Sequence, residues 1–228
     1  MKLGIMQPYF FPYIGYFQLI HAVDVYVVYD DVNYIKGGWI NRNFILANSN
    51  MQRITMPLQG ASPNKLINQV EISGLQKILK SVFHNYRKAP HFDTVYPVIE
   101  DIFTQTDKNL ARFLDYQLRQ ICGYLELNPQ WHISSELAKD NELRGQDKIL
   151  AICEELGATH YINMPGGKAL YDQSSFASRG LELSFIQPRA MWYRQFGKEF
   201  VPNLSIIDVL MFNDREQSKK LLKEFDLV

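Results

Sequence analysis

The sequence predicts an α/β protein with a Rossmann-like, open and mostly parallel sheet flanked by helices. The first observation is the opening segment, where a short apolar strand runs through a loop with two prolines into a helix entered at Gly15. The second is a helix that ends at Gly157 and is followed by a short strand at residues 159–163, an order typical of parallel α/β units. The third is that polar clusters follow the strands, where ligands bind in such sheets.

Two further features are predicted within this fold. Apolar runs at residues 44–47 and 53–58 flank Asn48-Ser49-Asn50, and turn residues between such runs indicate an N-terminal β-hairpin. From Gln76 onward apolar residues recur at helical spacing, which predicts a helical block in the middle of the chain, at residues 75–126. The length of 228 residues suits one large α/β domain, so we expect a single domain spanning residues 1–228.

The composition is that of a globular protein, with 46% hydrophobic and 21% charged residues. Because 24 basic and 24 acidic residues balance, we expect no nucleic-acid partner and no anionic-membrane surface. No signal peptide is visible, and no stretch reaches the ~18 apolar residues of a membrane helix. The two cysteines, Cys122 and Cys153, fit reduced buried thiols, so we expect a cytoplasmic protein. His84 and His91 lack partners at metal-ligand spacing, so no metal site is predicted.

The opening strand-loop-helix junction is the first candidate site. The carboxyl end of a strand and the positive end of a helix face the same crevice at such junctions. We assign cofactor binding here to Gln7, Pro8, Gly15 and Tyr16. The six aromatic residues between positions 9 and 17 either pack in the core or form a platform on which a sugar or base ring stacks.

A second polar cluster follows the strand predicted at residues 24–29. It comprises Asp30, Asp31, Lys36, Trp39, Asn41, Arg42 and Asn43. Carboxylates, cations and amides within fourteen positions could bind a charged or polyhydroxylated ligand. The structural alternative is that the two aspartates form a turn or a helix cap and that Arg42 pairs with them.

A third cluster follows the strand at residues 159–163. Paired glycines, Gly166 and Gly167, allow backbone N–H groups to approach an anion, and Lys168 can add a point charge. Tyr171 follows as a candidate substrate contact. The spacing is not that of a Walker P-loop, and a plain turn is the alternative.

The closing segment is interpreted structurally. Ser205 is predicted to cap a helix, with Asp208 three residues later as an acidic variant of the capping box. A last helix is expected at residues 214–225.

Taken together, these motifs resemble the WbqC-like proteins. The matching residues are Gln7-Pro8, Pro12, Gly15, Asp30-Asp31, Lys36, Trp39, Asn41-Arg42-Asn43, Pro165-Gly166-Gly167-Lys168 and the segment from Phe200 to Asp208. Their order and spacing match from one end of the chain to the other. The resemblance implies a setting in bacterial surface-glycan (O-antigen, lipopolysaccharide) biosynthesis and amino-sugar modification.

The opening stretch also has a remoter likeness. Pro8, Gly15, Tyr16 and Leu19-Ile20 are similar to the Pro…His-x-Gly-His…Leu-Ile pattern of nucleotidyltransferases and pantothenate synthetases, which bind ATP in a Rossmann-like sheet. The likeness implies ATP or another nucleotide as cofactor. Tyrosines replace the histidines of that pattern, so the chain either uses other donors, such as Lys36, Arg42 and Lys168, or performs no adenylyl transfer.

Two functions follow from these resemblances. In the first, the protein is a transferase or ligase that forms an amide on a nucleotide-linked or lipid-linked amino sugar. Lys36 and Arg42 then stabilise oxyanion charge, and Asp30 or Asp31 positions or deprotonates the amine. Trp39, Asn41, Asn43 and Tyr171 would contact the substrate. In the second, a non-catalytic sugar- or nucleotide-binding protein presents substrate to a partner enzyme. Whether a nucleotide is used at all and whether the protein is a homodimer stay open.

Overall fold

The structure is a computed structural model that describes all 228 residues. The ten strands are β1 (Lys2–Met6), β2 (Val25–Val28), β3 (Arg42–Ala47), β4 (Asn50–Thr55), β5 (Leu58–Gln59), β6 (Glu71–Ile72), β7 (Gln130–Ile133), β8 (His160–Asn163), β9 (Glu182–Pro188) and β10 (Phe225–Leu227). The eight helices are α1 (Ile14–Ala22), α2 (Gln76–Tyr86), α3 (Phe92–Thr104), α4 (Leu110–Tyr124), α5 (Gly145–Glu155), α6 (Gln173–Ala177), α7 (Ile206–Phe212) and α8 (Arg215–Leu221).

The central sheet has six strands in the order β10-β9-β8-β1-β2-β7. All neighbours are parallel except β9 and β10, and β1 pairs with β2 in the register Leu3 to Val25. The chain runs outward from β1 through β2 to β7, then crosses back to β8 and β9 on the other side of β1. The direction of winding therefore reverses between β1 and β8, which is where open α/β sheets bind ligands. The predicted fold class is confirmed.

Both faces of the sheet are covered, and the sequence of β2 shows how. Successive strand side chains point to opposite faces. Val25 and Val27 accordingly join a core on one face together with Ile149 of α5, whereas Tyr26 and Val28 join the larger core on the other face. All four residues of β2 are buried, as expected for a strand of a parallel sheet between two helical layers.

The β-hairpin and the helices of the central segment lie between β2 and β7. Strands β3 and β4 pair from Arg42 with Thr55 to Ala47 with Asn50, and the turn residues Asn48 and Ser49 both have positive φ. Two residues with positive φ form the turn that matches the twist of a hairpin. Helices α2, α3 and α4 follow within residues 76–124. None of the eight helices combines the length and the apolar character that crossing a bilayer requires.

Two predicted boundaries were wrong. The polar sequence of residues 140–147 predicts a loop, with the helix beginning at Lys148. Helix α5 begins at Gly145 instead, and its first turn is polar and carries no apolar repeat. The last helix ends at Leu221, and Phe225 to Leu227 form β10 instead. β10 is held by antiparallel pairing with β9, and the exposed guanidinium of Arg189 donates to Asp226 beside it. These are tertiary contacts that override a locally helical sequence.

Candidate functional site

A cleft of about 480 Å³ opens at the carboxyl ends of β1 and β8, where the winding of the sheet reverses. We call it the switch-point cleft. It is lined by Ile5, Met6, Gln7 and Tyr9 of the first strand and loop, Tyr29, Val32 and Ile35 after β2, Gly145, Gln146 and Ile149 of α5, and Asn163, Met164, Gly166, Gly167, Leu170 and Tyr171 after β8. Segments more than a hundred positions apart thus share one cavity.

The β8 wall of the cleft is built around Gly167. The Nδ2 of Asn163 donates to the hydroxyl of Tyr171 at 3.1 Å. A Cβ added to Gly167 would lie 2.8 Å from that Nδ2 and 3.0 Å from Cε2 of Tyr171, so Gly167 leaves room for the pair. Its own N–H donates to the carbonyl of Met164 at 2.9 Å within a 3-10 turn. At this position the glycine therefore acts by its small size and not as an anion donor.

The other residues of the third cluster differ in their placement. Gly166 lies on the rim, and a Cβ added there would meet no atom within 4 Å. Lys168 is exposed, and its Nζ lies 5.8 Å from the centre of the Phe185 ring, outside the wall of the cleft.

In the opening loop, one of the four predicted cofactor residues lines the cleft. Gln7 does so, and its side-chain amide makes no hydrogen bond within the protein. Tyr16 is buried and donates its hydroxyl to the carbonyl of Gln7 at 2.8 Å. Gly15 accommodates the ring of Tyr13, which would be 2.4 Å from an added Cβ. Tyr16, Gly15 and the buried Pro8 thus shape the loop that carries Gln7.

That loop is strained and is held from several sides. Phe11 has φ of +40°, a conformation that costs a non-glycine residue free energy. Its N–H donates to Gln117 Oε1 at 2.9 Å, and its carbonyl accepts hydrogen bonds from Asn43 Nδ2 and from Ser205 Oγ. Sequence reasoning missed Gln117. The available signal was a buried amide on the apolar face of α4, between Phe113 and Ile121.

Asp30 and Asp31 are buried, and their partners lie away from the cleft. Asp30 accepts hydrogen bonds from the backbone and hydroxyl of Ser135 and from Asn68. Oδ2 of Asp31 lies 2.9 Å from Nζ of Lys139 and 2.9 Å from Nζ of Lys148. Asp30 is therefore fully hydrogen-bonded, whereas Asp31 pairs through Oδ2 alone and its buried Oδ1 accepts no hydrogen bond. The partners of Asp31 are two lysines and not Arg42, which the structural alternative expected.

The charge state of Asp31 follows from this environment. Burial by itself raises the pKa of Asp31, but the ammonium groups of Lys139 and Lys148 and the nearby hydroxyl of Ser134 outweigh it, so the pKa lies below the usual value. The carboxylate is held ionised. Neither lysine was singled out from the sequence, because each pairs with a residue more than a hundred positions away.

Two asparagines of the second cluster hydrogen-bond neighbouring loops, whereas its two cations make no ion pair. The amide of Asn41 bonds Tyr34 and the carbonyl of Met56, while that of Asn43 bonds the carbonyls of Phe10 and Phe11. Both amide side chains therefore stabilise loops through hydrogen bonds.

Lys36 and Arg42 make no ion pair within the protein. Lys36 is exposed and follows Ile35, which lines the cleft, and the half-buried guanidinium of Arg42 lies against Gly37. The structure brings Gln7, Gly166, Gly167 and Tyr171 into one cavity. It leaves both cations outside the wall of that cavity, Lys36 on the loop that borders it and Arg42 at the start of β3.

A second cavity, the aromatic groove, adjoins the cleft. It has a volume of about 430 Å³ and is lined by Tyr9, Pro12, Tyr13, Trp39, Asn43, Phe44, Met51 and Asn203. Tyr9 lines both cavities, and Trp39 is 48% exposed with its ring 6.1 Å from that of Phe44. Burial raises the pKa of Tyr9, and burial with the neighbouring Tyr9 raises that of Tyr13 to about 12. Both phenols are neutral at neutral pH and offer a ring face and a hydroxyl.

Comparisons with known proteins agree with the motifs. The model of the WbqC-like protein family matches residues 7–220. The uncharacterized protein Rv1507c of Mycobacterium tuberculosis (strain H37Rv) is 31% identical over 222 residues, which cover 93% of this chain and 93% of the relative. No solved structure matches the chain. Because the family match includes both the opening loop and the diglycine turn, the resemblance seen in the motifs is confirmed, and the chain belongs to the WbqC-like protein family.

Proposed function

We propose that the protein is an enzyme of bacterial surface-polysaccharide biosynthesis that transfers an acyl or aminoacyl group to an amino sugar, with a nucleotide bound in the switch-point cleft. One observation carries the proposal: a cleft at the winding reversal of a Rossmann-like sheet, where the amides of Gln7, Gln146 and Asn163 stand among apolar side chains, adjoins an aromatic groove, and Tyr9 belongs to both. A two-substrate reaction needs two adjacent sites of different chemistry.

The cleft suits the nucleotide. Its volume falls in the range of about 300–1,000 Å³ that is usual for small-molecule sites. The N-terminus of α5 opens into it through Gly145 and Gln146, and no side chain caps that helix, so its positive end can face a phosphate. Gln7 contributes a free amide, and Lys36 and Arg42 provide cations without acidic partners near the rim.

The aromatic groove suits the acceptor. Sugar rings present apolar C–H faces that pack on aromatic side chains, and Trp39 offers a half-exposed indole. In the proposed step the amine nitrogen of the sugar attacks the activated acyl carbon beside Tyr9. A C–N bond forms, the bond to the activating group breaks, and the proton from nitrogen passes to solvent. Asp30 and Asp31 position the segment after β2 and do not touch the amine.

One observation favours the non-catalytic alternative. The side chains that line the cleft include three tyrosines but no carboxylate, histidine or lysine. A protein that holds a nucleotide-linked sugar for a partner enzyme needs no general base.

Mass spectrometry of the reaction products distinguishes the two functions. The purified protein is incubated with ATP, an amino acid or acyl donor, and a panel of nucleotide-linked amino sugars. The enzyme is expected to give a sugar whose mass has increased by the acyl group. Ligand-induced stabilisation without product supports the binding protein; it should reach about 2.7 kcal/mol at a hundred times the dissociation constant. If no nucleotide stabilises the fold, the assignment of the cleft is wrong.

A further inference from the structure

A separate cavity of about 340 Å³ lies on the other side of the start of α5, which we call the lysine pocket. Asp31, Asn68, Gln69, Ser135, Arg144 and Lys148 are in its wall. It differs from the switch-point cleft in its lining, since none of these six residues contributes to the cleft. Arg144 and Lys148 nevertheless flank Gly145 and Gln146, which do line the cleft, so the two cavities meet at the N-terminus of α5.

The lysine pocket is built on a buried charge imbalance. The side chains of Lys139 and Lys148 are 1% and 2% exposed, and both ammonium groups lie 2.9 Å from the same oxygen of Asp31. Two buried cations therefore share one carboxylate. An unbalanced buried charge is costly, and proteins ordinarily offset it with a counter-charge.

The groups around the pocket do not supply that counter-charge. Asp30 is the other buried carboxylate nearby, but its oxygens are taken by Ser135 and Asn68, and it faces a different cavity. Arg144 adds a third cation, and its Nη1 donates to the carbonyls of Asn141 and Leu143, not to an acid. The uncapped N-terminus of α5 adds further positive potential.

We propose that the lysine pocket binds a phosphoryl group, held by Lys148 and Arg144. Two lysines, one arginine and the N-terminus of α5 carry more positive charge than the two aspartates, Asp30 and Asp31, offset. The phosphoryl group supplies the missing negative charge. Nε2 of Gln69, which makes no hydrogen bond within the protein, offers a neutral donor in the same wall. The phosphoryl group arrives either as inorganic phosphate or as part of an organic phosphate. The lysine pocket binds this phosphoryl group whether or not the switch-point cleft holds a nucleotide.

The test measures binding of inorganic phosphate, pyrophosphate and ADP to the full-length protein by titration calorimetry and thermal unfolding. Lys148→Met removes one ammonium but leaves Asp31 paired with Lys139, so the variant keeps a neutral buried pair. Arg144→Gln changes an exposed side chain, so it folds even if Lys148→Met does not. Lys220→Met is the matched control, because it removes the same charge from an exposed lysine that makes no ion pair.

We expect phosphate or pyrophosphate to stabilise the wild type and the Lys220→Met control. Affinity should fall about tenfold or more in Lys148→Met and in Arg144→Gln, since each loses a hydrogen bond to a charged group. Phosphate binding that survives Gly167→Ala identifies a free phosphate as the ligand. If ADP binding is lost both in Gly167→Ala and in Lys148→Met, the group bound in the lysine pocket is a phosphate of the nucleotide that occupies the cleft. Unchanged phosphate affinity in both pocket variants, or no binding of any of the three probes, would overturn the proposal.

Discussion

Gln117 of α4 accepts a hydrogen bond at 2.9 Å from the backbone N–H of Phe11, 106 positions earlier in the chain. The same amide donates from Nε2 to the carbonyl of Tyr9 at 3.1 Å, so one side chain spans the strained part of the loop. Because Tyr9 lines both the switch-point cleft and the aromatic groove, the helix that carries Gln117 also fixes the geometry of the candidate site.

Gln117→Leu should destabilise the protein by about 1–3 kcal/mol, because a buried N–H and a buried carbonyl lose their partners. Urea unfolding measures this change. Gln120→Leu on the same helix is the control, since that side chain makes no hydrogen bond and should change stability by less than about 0.5 kcal/mol. Equal effects of the two substitutions would mean that Gln117 does not hold the loop.

Gly167→Ala should weaken nucleotide binding in the cleft and cost about 1–3 kcal/mol of stability, because the new Cβ overlaps Asn163 and Tyr171. Gly166→Ala is the matched control one residue away. It meets no atom and should change stability by less than about 0.5 kcal/mol. Ligand titration and chemical unfolding of the two variants should therefore give different results; identical behaviour would contradict the steric role of Gly167.

Asp31→Asn should destabilise the fold by about 3–5 kcal/mol at neutral pH, because two buried lysines lose their counter-charge. The pKa of Asp31 is lowered in the folded state, so its stabilisation is complete above the unfolded pKa of about 3.9 and is lost as pH falls through the folded value. The difference from wild type should then shrink at about pH 3. Asp226→Asn, at an exposed pair with Arg189, is the control and should have little effect at either pH. A difference that persists in acid would argue against the ion pairs.

Tyr86→Phe should cost about 1–3 kcal/mol, because the hydroxyl accepts from the N–H of Leu46 and donates to the buried Asp208. Burial raises the pKa of Asp208, although Tyr193, Gln195 and Tyr86 oppose the shift with hydrogen bonds. A raised folded pKa means that the native state binds the proton more tightly, so stability falls as pH rises above about 3.9.

Removing the Tyr86 donor raises the pKa of Asp208 further, so the penalty should be larger at neutral pH than at about pH 4. Urea unfolding curves of the wild type and of Tyr86→Phe at the two pH values measure this loss of stability. Tyr116→Phe is the matched control, because its hydroxyl also donates to a carboxylate, Asp101, but on the surface. A Tyr86→Phe penalty that does not change with pH would show that Asp208 stays neutral.

Lys36→Ala and Arg42→Ala should each lower the rate of product formation on the order of a hundredfold or more, since cations placed near developing oxyanion charge commonly supply a large catalytic term. Stability should hardly change for Lys36, which is exposed and unpaired. Lys65→Ala, an exposed lysine on a neighbouring loop, serves as the control in the same product assay. Normal turnover by both variants would remove these residues from the mechanism.

Local patterns were sufficient for the fold class and for several elements. The β-branched and aromatic run of β2, the turn at Asn48 and Ser49, and the cap at Ser205 depend on residues a few positions apart, so the sequence reveals them directly. The cap is confirmed, because Ser205 Oγ accepts from the N–H of Ile207. Asp208 is not part of a capping box; its carboxylate is buried and bonds Tyr86, Tyr193 and Gln195.

The amino-acid sequence alone established an α/β sheet, a hairpin, a helical block in the middle of the chain and the family to which the motifs point. Tertiary structure decided which polar residues face the cleft, that Gln117 supports the opening loop, and that Asp31 is shared by two lysines. The physical reason is the distance along the chain between the residues that interact. Helix and strand periodicity repeats within a few residues, whereas a hydrogen bond or ion pair between residues a hundred positions apart leaves no local pattern and exists only once the chain has folded.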